Sequence, residues 1–353
     1  MMSANLKKLE QCPHILILGM GGTIAGLAAN PDLSPTNYKA GELGVEELLK
    51  KVEGVIPGDL KLVSQQLANI DSRDLSEELL THLGSTVRDS LSNPSVQGIV
   101  ITHGTDTVEE TGFFLSATCG KLAEKLGKRV VLTGAMLPAN APQADGPLNL
   151  LDALKWVSNA PENCPGGVFA VFAGKVCLAR DLSKRHTSAF NAPLMDAPCS
   201  PLGLINPSWL SRLKAVEAAS GEDLPIPSDQ WPWVEILTSH AGAKPQALKS
   251  LLDAGVEGFI LAGTGFGGVH QAWIGALKQA EVKGAALVRT SRTGAGAVQS
   301  DFTDDGLHCL SSGTLSAPRA RIALQLALNA AKGDKSLTWQ DFFARIAVLP
   351  EFG

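Results

Sequence analysis

Short apolar runs alternate with amphipathic stretches along this chain, and that alternation constrains the fold more than any other feature. Four runs are typical of buried strands: HILIL (14–18), GIVIT (98–102), RVVLT (129–133) and GVFAVF (167–172). Four amphipathic stretches predict helices: 43–52, 75–92, 107–119 and 145–158. Strands and helices that alternate in this way form a parallel sheet covered by helices, so the sequence predicts an α/β fold.

The alternation is interrupted once and then resumes. GEDLPIPSDQWPW (221–233) is rich in proline and acidic residues, which is typical of an interdomain linker. Three strands are predicted after it: VEILTS (234–239), GFILAG (258–263) and ALVRTS (286–291). Four helices are predicted as well: 244–254, 269–280, 317–332 and 337–347. At about 150 residues per domain, 353 residues fit two domains. We predict an N-terminal domain over 1–218, a linker over 219–233 and a C-terminal domain over 234–353.

The composition argues against several classes of protein. With 44 % hydrophobic and 18 % charged residues, the chain is globular rather than disordered. A net charge of −5 without a run of lysine or arginine does not indicate binding to nucleic acid or to an anionic membrane. The apolar runs are far shorter than the ~20 residues of a membrane-spanning helix.

The cysteines and the N-terminal segment indicate the cellular compartment. The six cysteines form no CxxC pair and no Cys/His cluster with zinc spacing, so we expect reduced thiols and no metal. The segment MMSANLKKLEQCPHILIL lacks the apolar region of ~7–15 residues that marks a signal peptide. We therefore expect a cytoplasmic protein.

Three loops that follow predicted strands carry the residues of interest, because ligands of open α/β sheets bind outside the carboxyl ends of the strands. In ILILGMGGTIAG (15–26), glycines permit a sharp turn and close approach of a ligand to the backbone before Thr23. Taken alone, this segment favours an ordinary strand–helix turn with Thr23 as the helix cap.

The second loop, IVITHGTDTVEET (99–111), ends in a pattern that predicts a capping box between Thr107 and Glu110. The box leaves Thr105 and Asp106 unexplained, and a threonine beside a carboxylate at a helix start is suited to holding a water or hydroxyl. We expect His103 to be a structural, hydrogen-bonded histidine. The third loop, CLARDLSKRHTS (177–188), contains Lys184, a base only where burial or neighbouring charges favour its neutral amine.

Together these segments resemble the bacterial-type L-asparaginase family. The resemblance extends nearly from end to end and includes GGTIAG (21–26), NYKAGELGVEELL (37–49), HGTDTVEET (103–111), GAMLPANAPQADGPLNLLDA (134–153), ARDLSK (179–184), LVRTSRTGAGAV (287–298) and SSGTLSAPRARIALQLAL (311–328). It implies a large flavodoxin-like N-terminal domain with a parallel sheet, a smaller α/β C-terminal domain and a homotetramer that is a dimer of dimers. It also implies hydrolysis of L-asparagine to L-aspartate and ammonia without a cofactor, with minor activity on glutamine.

The resemblance also implies roles for individual residues. Thr23 corresponds to the primary nucleophile and Tyr38, the single tyrosine of the chain, to its partner. Thr105, Asp106 and Lys184 correspond to a second catalytic set, in which the lysine is the base and the aspartate orients it. Asp106 would also bind the substrate α-ammonium. The substrate-binding candidates are Ser72, which would hold the α-carboxylate, and Arg73, Gly22, Gly104 and Ala135.

Three departures from the family pattern concern affinity and selectivity more than reaction class. Arg73 stands where the family usually has Gln or Glu, and a cation directed inward would repel the substrate ammonium. Gly268 stands where many members carry an Asn from a second subunit. SDFTDDGLH (300–308) is about two residues shorter than expected, which leaves Asp301 and Asp304 as weak candidates for an intersubunit Glu.

Two alternative functions remain open at this point. GTGFGG (263–268) follows a predicted strand, and Glu281 lies at about the distance of a ribose-binding acid, as in a dinucleotide-binding protein. If Arg73 and the missing Glu disable the site, the chain would instead be an amino-acid-binding protein without turnover.

Overall fold

The chain folds into two compact units, Met1–Glu217 and Ala218–Gly353. The computed structural model describes residues 12–31, 37–56, 60–161, 164–194, 199–202, 221–228, 230–299 and 306–347.

A seven-stranded sheet forms the centre of the described part of the first unit, in the order β4-β1-β5-β6-β7-β8-β9. Its strands are β1 (His14–Gly21), β4 (Leu62–Ile70), β5 (Val96–Thr102), β6 (Arg129–Thr133), β7 (Gly167–Phe172), β8 (Lys175–Leu178) and β9 (Cys199–Pro201). The first five are parallel, whereas β8 and β9 pair antiparallel. Two further strands, β2 (Leu27–Ala28) and β3 (Tyr38–Lys39), form a small antiparallel pair.

Helices connect the parallel strands, as the sequence pattern predicts. They are α1 (Val45–Lys50), α2 (Glu77–Ser92), α3 (Val108–Lys125) and α4 (Gly146–Asn159). Ser76 caps α2 by accepting a hydrogen bond from the Leu79 N–H at 3.2 Å. Helix α3 continues six residues beyond the predicted end at 119. The helix continues through Gly120, the residue that interrupts the apolar pattern. A Cβ added at Gly120 would have no heavy atom within 4 Å.

The strand order places the loops after β1 and β5 at a topological switch point. Strand β1 lies between β4 and β5, so the chain leaves it toward one side of the sheet and later returns on the other. This arrangement matches the flavodoxin-like order in which ligands bind at the carboxyl ends of the two diverging strands. The predicted flavodoxin-like α/β fold is confirmed.

Three strands of the sheet were absent from the sequence prediction. β4 (LVSQQLANI) lies at the sheet edge with most side chains at least partly exposed, so it has no continuous apolar run. β8 and β9 have four and three residues, too few for a periodicity to be read.

The second unit has its own parallel sheet in the order β10-β11-β12-β13. Its strands are β10 (Val234–Thr238), β11 (Gly258–Gly263), β12 (Ala286–Ser291) and β13 (Leu310–Ser311), and its helices are α5 (Gln246–Asp253), α6 (Gln271–Val282), α7 (Ala317–Gly333) and α8 (Trp339–Ala347). A buried cluster that includes Phe259, Trp273 and Leu277 joins the sheet to α5 and α6.

The segment predicted as a linker packs against the second unit. Its described residues, 221–228 and 230–233, form neither helix nor strand, yet Leu224 and Trp231 are buried. The Gln325 side chain on α7 donates to the Pro232 carbonyl at 3.0 Å. Described residues of this segment are therefore anchored to the second unit, while the linker boundaries at 219 and 233 stay a prediction.

Candidate active site

Two glycines bring three loops of the first unit into contact at the carboxyl ends of β1, β4 and β5. Gly22 has φ +81°, and a Cβ on it would collide with the Gly104 backbone. A Cβ on Gly104 would lie 2.5 Å from Ser72 Oγ. No other residue type lets the backbones approach so closely, so Gly22 and Gly104 place Thr23, Thr105 and Ser72 around one point.

Gly22→Ala is expected to lower the free energy of unfolding by more than about 2 kcal/mol, since backbone strain and overpacking each cost about 1–3 kcal/mol. Gly127→Ala is the matched control because Gly127 also has a positive φ, +63°, but no heavy atom within 4 Å of an added Cβ. The control should lose about 1 kcal/mol through strain alone. Equal losses in urea denaturation would contradict the close approach at Gly22.

Thr23 and Tyr38 form the first polar pair of the site. Thr23 belongs to a short 3-10 turn (Thr23–Ala25) directly after β1 and is 7 % exposed. Its Oγ1 lies 2.6 Å from the Tyr38 hydroxyl, which β3 supplies. Thr23 is therefore not the helix cap that its local sequence favours, since Gly22 occupies the cap position.

Thr105, Asp106 and Lys184 form the second polar group. Lys184 Nζ donates to Thr105 Oγ1 at 2.9 Å and to Asp106 Oδ1 at 2.5 Å. The hydroxyl of Thr105 is buried with its residue, whereas the Asp106 side chain is 54 % exposed. The lysine therefore links a buried hydroxyl to a carboxylate that a ligand can reach.

A cavity of about 390 Å³ opens beside this group. It is lined by Asp106, Lys184, Arg185, His186 and Thr187, and it lies within the usual size range of small-molecule sites. Sequence reasoning missed the last three residues, although all of them directly follow Lys184. A charged or polar run next to a candidate base is the signal that could have identified them.

Ser72 and Arg73 differ in their suitability for binding a ligand. Ser72 is 3 % exposed and its Oγ accepts a hydrogen bond from the Asp106 N–H at 3.2 Å, which leaves its own O–H to donate to an anion. The Arg73 side chain is 74 % exposed and pairs with Asp71 at 3.0 Å. Pairing with a carboxylate offsets the positive charge that Arg73 would present to a substrate ammonium.

The loop after β6, which contains Ala135, is held by one carboxylate. Asp145 accepts hydrogen bonds from the Met136 and Leu137 N–H groups at 2.9 Å. Ala135 is completely buried. Its assignment to substrate binding remains a prediction, as do those of the other candidate residues.

One sequence expectation about this region is wrong. Thr107 does not form a capping box, because its hydroxyl donates to the Ser72 carbonyl at 2.8 Å and so ties two loops together. The Gly22 N–H donates to the Ile70 carbonyl at 2.8 Å, which joins the turn after β1 to the end of β4.

His103 is a buried structural residue, as expected. Its Nδ1 lies 2.7 Å from the Gly104 carbonyl and its Nε2 lies 3.0 Å from Thr111 Oγ1. Because a carbonyl only accepts, Nδ1 carries the proton of the neutral ring and Nε2 accepts from the Thr111 hydroxyl. Burial lowers the pKa of His103 below 6.5, and the hydrogen bond to Gly104 opposes that effect more weakly.

The lowered pKa of His103 predicts a loss of stability in acid. The unfolded chain binds the proton more tightly below pH 6.5, so stability is present above that pH and lost as the pH falls toward the folded pKa. One proton limits the loss to about 1.4 kcal/mol per pH unit. Denaturation of the wild type and His103→Gln between pH 7.5 and 5 should show a shallower decline for the variant. His82→Gln, at an exposed histidine, should decline like the wild type.

The glycine motif at 263–268 does not support dinucleotide binding. The Thr264 N–H donates to the Gly268 carbonyl at 2.9 Å, so the loop closes on itself. Glu281, the expected ribose ligand, accepts a hydrogen bond from the His308 N–H at 2.6 Å. The dinucleotide-binding alternative is not favoured.

Two features are absent from the described residues. None of their helices is long and apolar enough to span a membrane, and none of their His, Cys, Asp and Glu side chains cluster in threes as metal ligands do. Asp301 and Asp304 lie outside the described residues.

Comparison with known proteins agrees with this geometry. The family model described as "Asparaginase, N-terminal" matches residues 14–214, and "Glutaminase/Asparaginase C-terminal domain" matches residues 233–342. A "Probable L-asparaginase periplasmic" of Haemophilus influenzae is 34 % identical over 97 % of this chain and 95 % of its own length. A "Glutaminase-asparaginase" of Pseudomonas fluorescens is 32 % identical, with 95 % and 92 % covered.

Solved structures give the same result. The crystal structure of a "Probable Cytoplasmic L-asparaginase" from Campylobacter jejuni superposes with a TM-score of 0.77 at 30 % identity, and the match covers 94 % of this chain and 99 % of that one. Two family models in order, relatives above 30 % identity and a shared two-domain fold lead to one conclusion: the chain belongs to the bacterial-type asparaginase family.

Proposed function

We propose that this protein is an L-asparaginase that hydrolyses L-asparagine to L-aspartate and ammonia, with minor activity on L-glutamine. The observation that carries the proposal is the placement of two hydroxyl groups, Thr23 paired with Tyr38 and Thr105 paired with Lys184, on adjacent loops of one sheet edge. Such hydroxyls can attack an amide once a neighbouring group accepts their proton.

Thr23 is the proposed nucleophile. Its Oγ1 attacks the side-chain carbonyl carbon of asparagine while its proton passes to the neighbouring Tyr38 oxygen. The carbon–nitrogen bond then breaks, the leaving nitrogen takes up the proton that Tyr38 relays from Thr23 and departs as ammonia, and an ester to Thr23 remains. Water, oriented by the Thr105 and Asp106 side chains, gives a proton to the Lys184 amine and attacks the ester carbonyl. Lys184 returns that proton to the leaving Thr23 oxygen, so aspartate is released and Thr23 is regenerated.

The substrate is proposed to bind through its two charged groups. Ser72 donates its free O–H to the α-carboxylate, and Asp106, which is exposed to the cavity, binds the α-ammonium. Because Asp106 also pairs with Lys184, binding and proton transfer share one carboxylate. Gly22, Gly104 and Ala135 contribute backbone surface, and Arg73 stays paired with Asp71 at the rim.

The test is ammonia release from L-asparagine by the purified full chain at neutral pH, with L-glutamine alongside. We expect release from asparagine well above that from glutamine. Binding of aspartate without ammonia release would favour the amino-acid-binding alternative, and Arg73→Gln would then be the first change to examine. Release from glutamine alone would contradict the proposed substrate.

Assembly and location are part of the same proposal. The family resemblance supports a homotetramer, which light scattering at micromolar concentration would detect; a monomer would contradict it. A cytoplasmic location is supported by the name of the Campylobacter jejuni structure, whereas the Haemophilus influenzae relative is named periplasmic. Fractionation of the source cells would decide between the two compartments.

A further inference from the structure

Two cysteines, neither of them in a disulfide, face each other across the antiparallel strands β8 and β9, which precede and follow the loop that contains Lys184. Cys177 on β8 is in register with Cys199 on β9. Directly opposed residues of a sheet lie on the same face, so the two thiols point the same way. Cys177 is completely buried, whereas Cys199 is partly exposed.

The register places this pair at a position that admits a disulfide. The Leu202 N–H donates to the Gly174 carbonyl at 3.0 Å, immediately outside the Lys175–Pro201 pair, in which proline has no N–H to donate. Lys175–Pro201 is thus a non-hydrogen-bonded pair. Hydrogen-bonded and non-hydrogen-bonded pairs alternate along antiparallel strands, so the Cys177–Cys199 pair, two residues further along, is also non-hydrogen-bonded. Cα atoms of such pairs lie about 4.5 Å apart, within the ~4.4–6.8 Å range of disulfides.

The charges around the pair favour reaction at Cys199. A hydrogen bond from the Cys177 thiol lowers the pKa of Cys199 and the Lys175 charge adds to this effect, whereas burial and the Asp181 carboxylate oppose it less strongly. Burial raises the pKa of Cys177, and donation to Cys199 raises it further. The partly exposed Cys199 thiol is therefore the nucleophile, and the buried Cys177 thiol is positioned to resolve a mixed disulfide.

We propose that Cys177 and Cys199 are a reversible oxidation site that forms an internal disulfide by exchange with a small-molecule disulfide such as oxidised glutathione. Cys199 attacks one glutathione sulfur, which forms a mixed disulfide and releases the first glutathione thiolate. Cys177 gives its proton to that thiolate and attacks Cys199 Sγ, which releases the second glutathione. The cysteines lose two electrons and the glutathione disulfide gains them.

The disulfide would close a covalent ring that contains Lys184, the centre of the second polar group. The Lys184 loop is already joined at its base by the Arg185 N–H, which donates to the Ala192 carbonyl at 3.2 Å. We expect the oxidised protein to show slower amide exchange over residues 183–193 than the reduced protein. This expectation does not depend on the proposed activity.

The test is equilibration of the full chain with glutathione buffers of increasing oxidised fraction, followed by acid trapping and peptide mapping. We expect a linked peptide pair joining Cys177 and Cys199 that dithiothreitol reverses. Cys177→Ser should leave a stable glutathione adduct on Cys199, whereas Cys309→Ser should still form the link. A wild-type chain that keeps both thiols free, or keeps the adduct on Cys199, would overturn the proposal without need of any variant.

A second, independent observation concerns the loop after β6. The Asn140 side chain accepts from the Ala28 N–H at 2.9 Å and donates to the Ala28 carbonyl at 2.8 Å. Ala28 is the cross-strand partner of Tyr38 in the two-residue pairing of β2 and β3. Such a short isolated pairing is marginal by itself, so an outside anchor is required.

We infer that Asn140 is a positioning residue that acts through Tyr38. Its side chain binds the N–H and the C=O of Ala28, the residue opposite Tyr38. The adjacent Ala139 N–H donates to the Gly26 carbonyl at 2.8 Å. The Tyr38 ring lies against Gly26, where an added Cβ would come within 2.8 Å of ring atom Cδ2. Asn140 thereby fixes the hydroxyl that contacts Thr23, a role that rests on the proposed function.

The test combines kinetics with a signal that needs no activity. Asn140→Ala should lower kcat about 10-fold or more, with a smaller change in KM, and should add no further loss in a Tyr38→Phe background. Because Tyr38 is the single tyrosine, fluorotyrosine labelling gives one fluorine resonance that Asn140→Ala should shift. Asn93→Ala, which removes an exposed side-chain contact to the Ser95 N–H, should change neither. An unshifted resonance, or an equal loss in both backgrounds, would overturn the inference even if no ammonia were released.

Discussion

Replacing Thr23 by alanine is expected to reduce ammonia release from L-asparagine by at least about 10³-fold, because the proposed nucleophile is removed outright. Thr23→Ser keeps a hydroxyl and should retain most of the activity. Tyr38→Phe removes only the partner hydroxyl, 2.6 Å away, and should cost about 10²-fold, within the range for general acid–base catalysis. Initial rates at saturating substrate measure all three variants.

Stability must be separated from chemistry in these variants. Thr23 is buried, and its side chain has one hydrogen-bond partner among the described residues, the Tyr38 hydroxyl, so Thr23→Ala should lower the free energy of unfolding by no more than about 1–2 kcal/mol. Thr86→Ala is the control, since that hydroxyl donates within its own helix, to the His82 carbonyl. If folded Thr23→Ala kept more than a tenth of the wild-type rate, Thr105 would become the better candidate for the nucleophile.

The fold was predictable where a strand is buried on both faces and its residues must therefore be apolar. Strands β5 and β6 are covered on both faces, so their residues form continuous apolar runs that a reader of the sequence can find. Strand β4 is also part of the sheet but lies at its edge, and its polar residues make it hard to recognise as a strand from the sequence. Its recognition required pairing with β1, a long-range contact that periodicity does not contain.

The candidate site was predicted from motifs and not from local chemistry. Thr23 alone favours a helix cap, and only the resemblance to a family indicates a nucleophile. The capping pattern at Thr107 proved misleading because a distant carbonyl, that of Ser72, competes for the same hydroxyl. Asn140 was not found at all, since its importance lies in backbone contacts to Ala28, 112 residues away. A side chain that forms hydrogen bonds with the backbone of a distant segment produces no recognisable pattern in the sequence around it.

Lys184→Met is expected to lower kcat for asparagine by about 10²–10⁴-fold, the range for loss of a positioned acid–base group. Lys184 donates to both Thr105 and Asp106, so methionine removes the link between the buried hydroxyl and the exposed carboxylate while filling a similar volume. KM should rise less than kcat falls, because Asp106 remains in place to bind the substrate ammonium.

The same variant should barely change stability, and this contrast identifies the role of Lys184. Asp106 is 54 % exposed, so water replaces the lost ion pair and the free energy of unfolding should fall by no more than about 1 kcal/mol. Lys155→Met removes a surface pair with Asp152, 3.2 Å away, and should change neither activity nor stability. A Lys184→Met enzyme as active as the Lys155→Met control would show that the lysine only supports the loop; a large loss of both activity and stability would show that it acts through the fold.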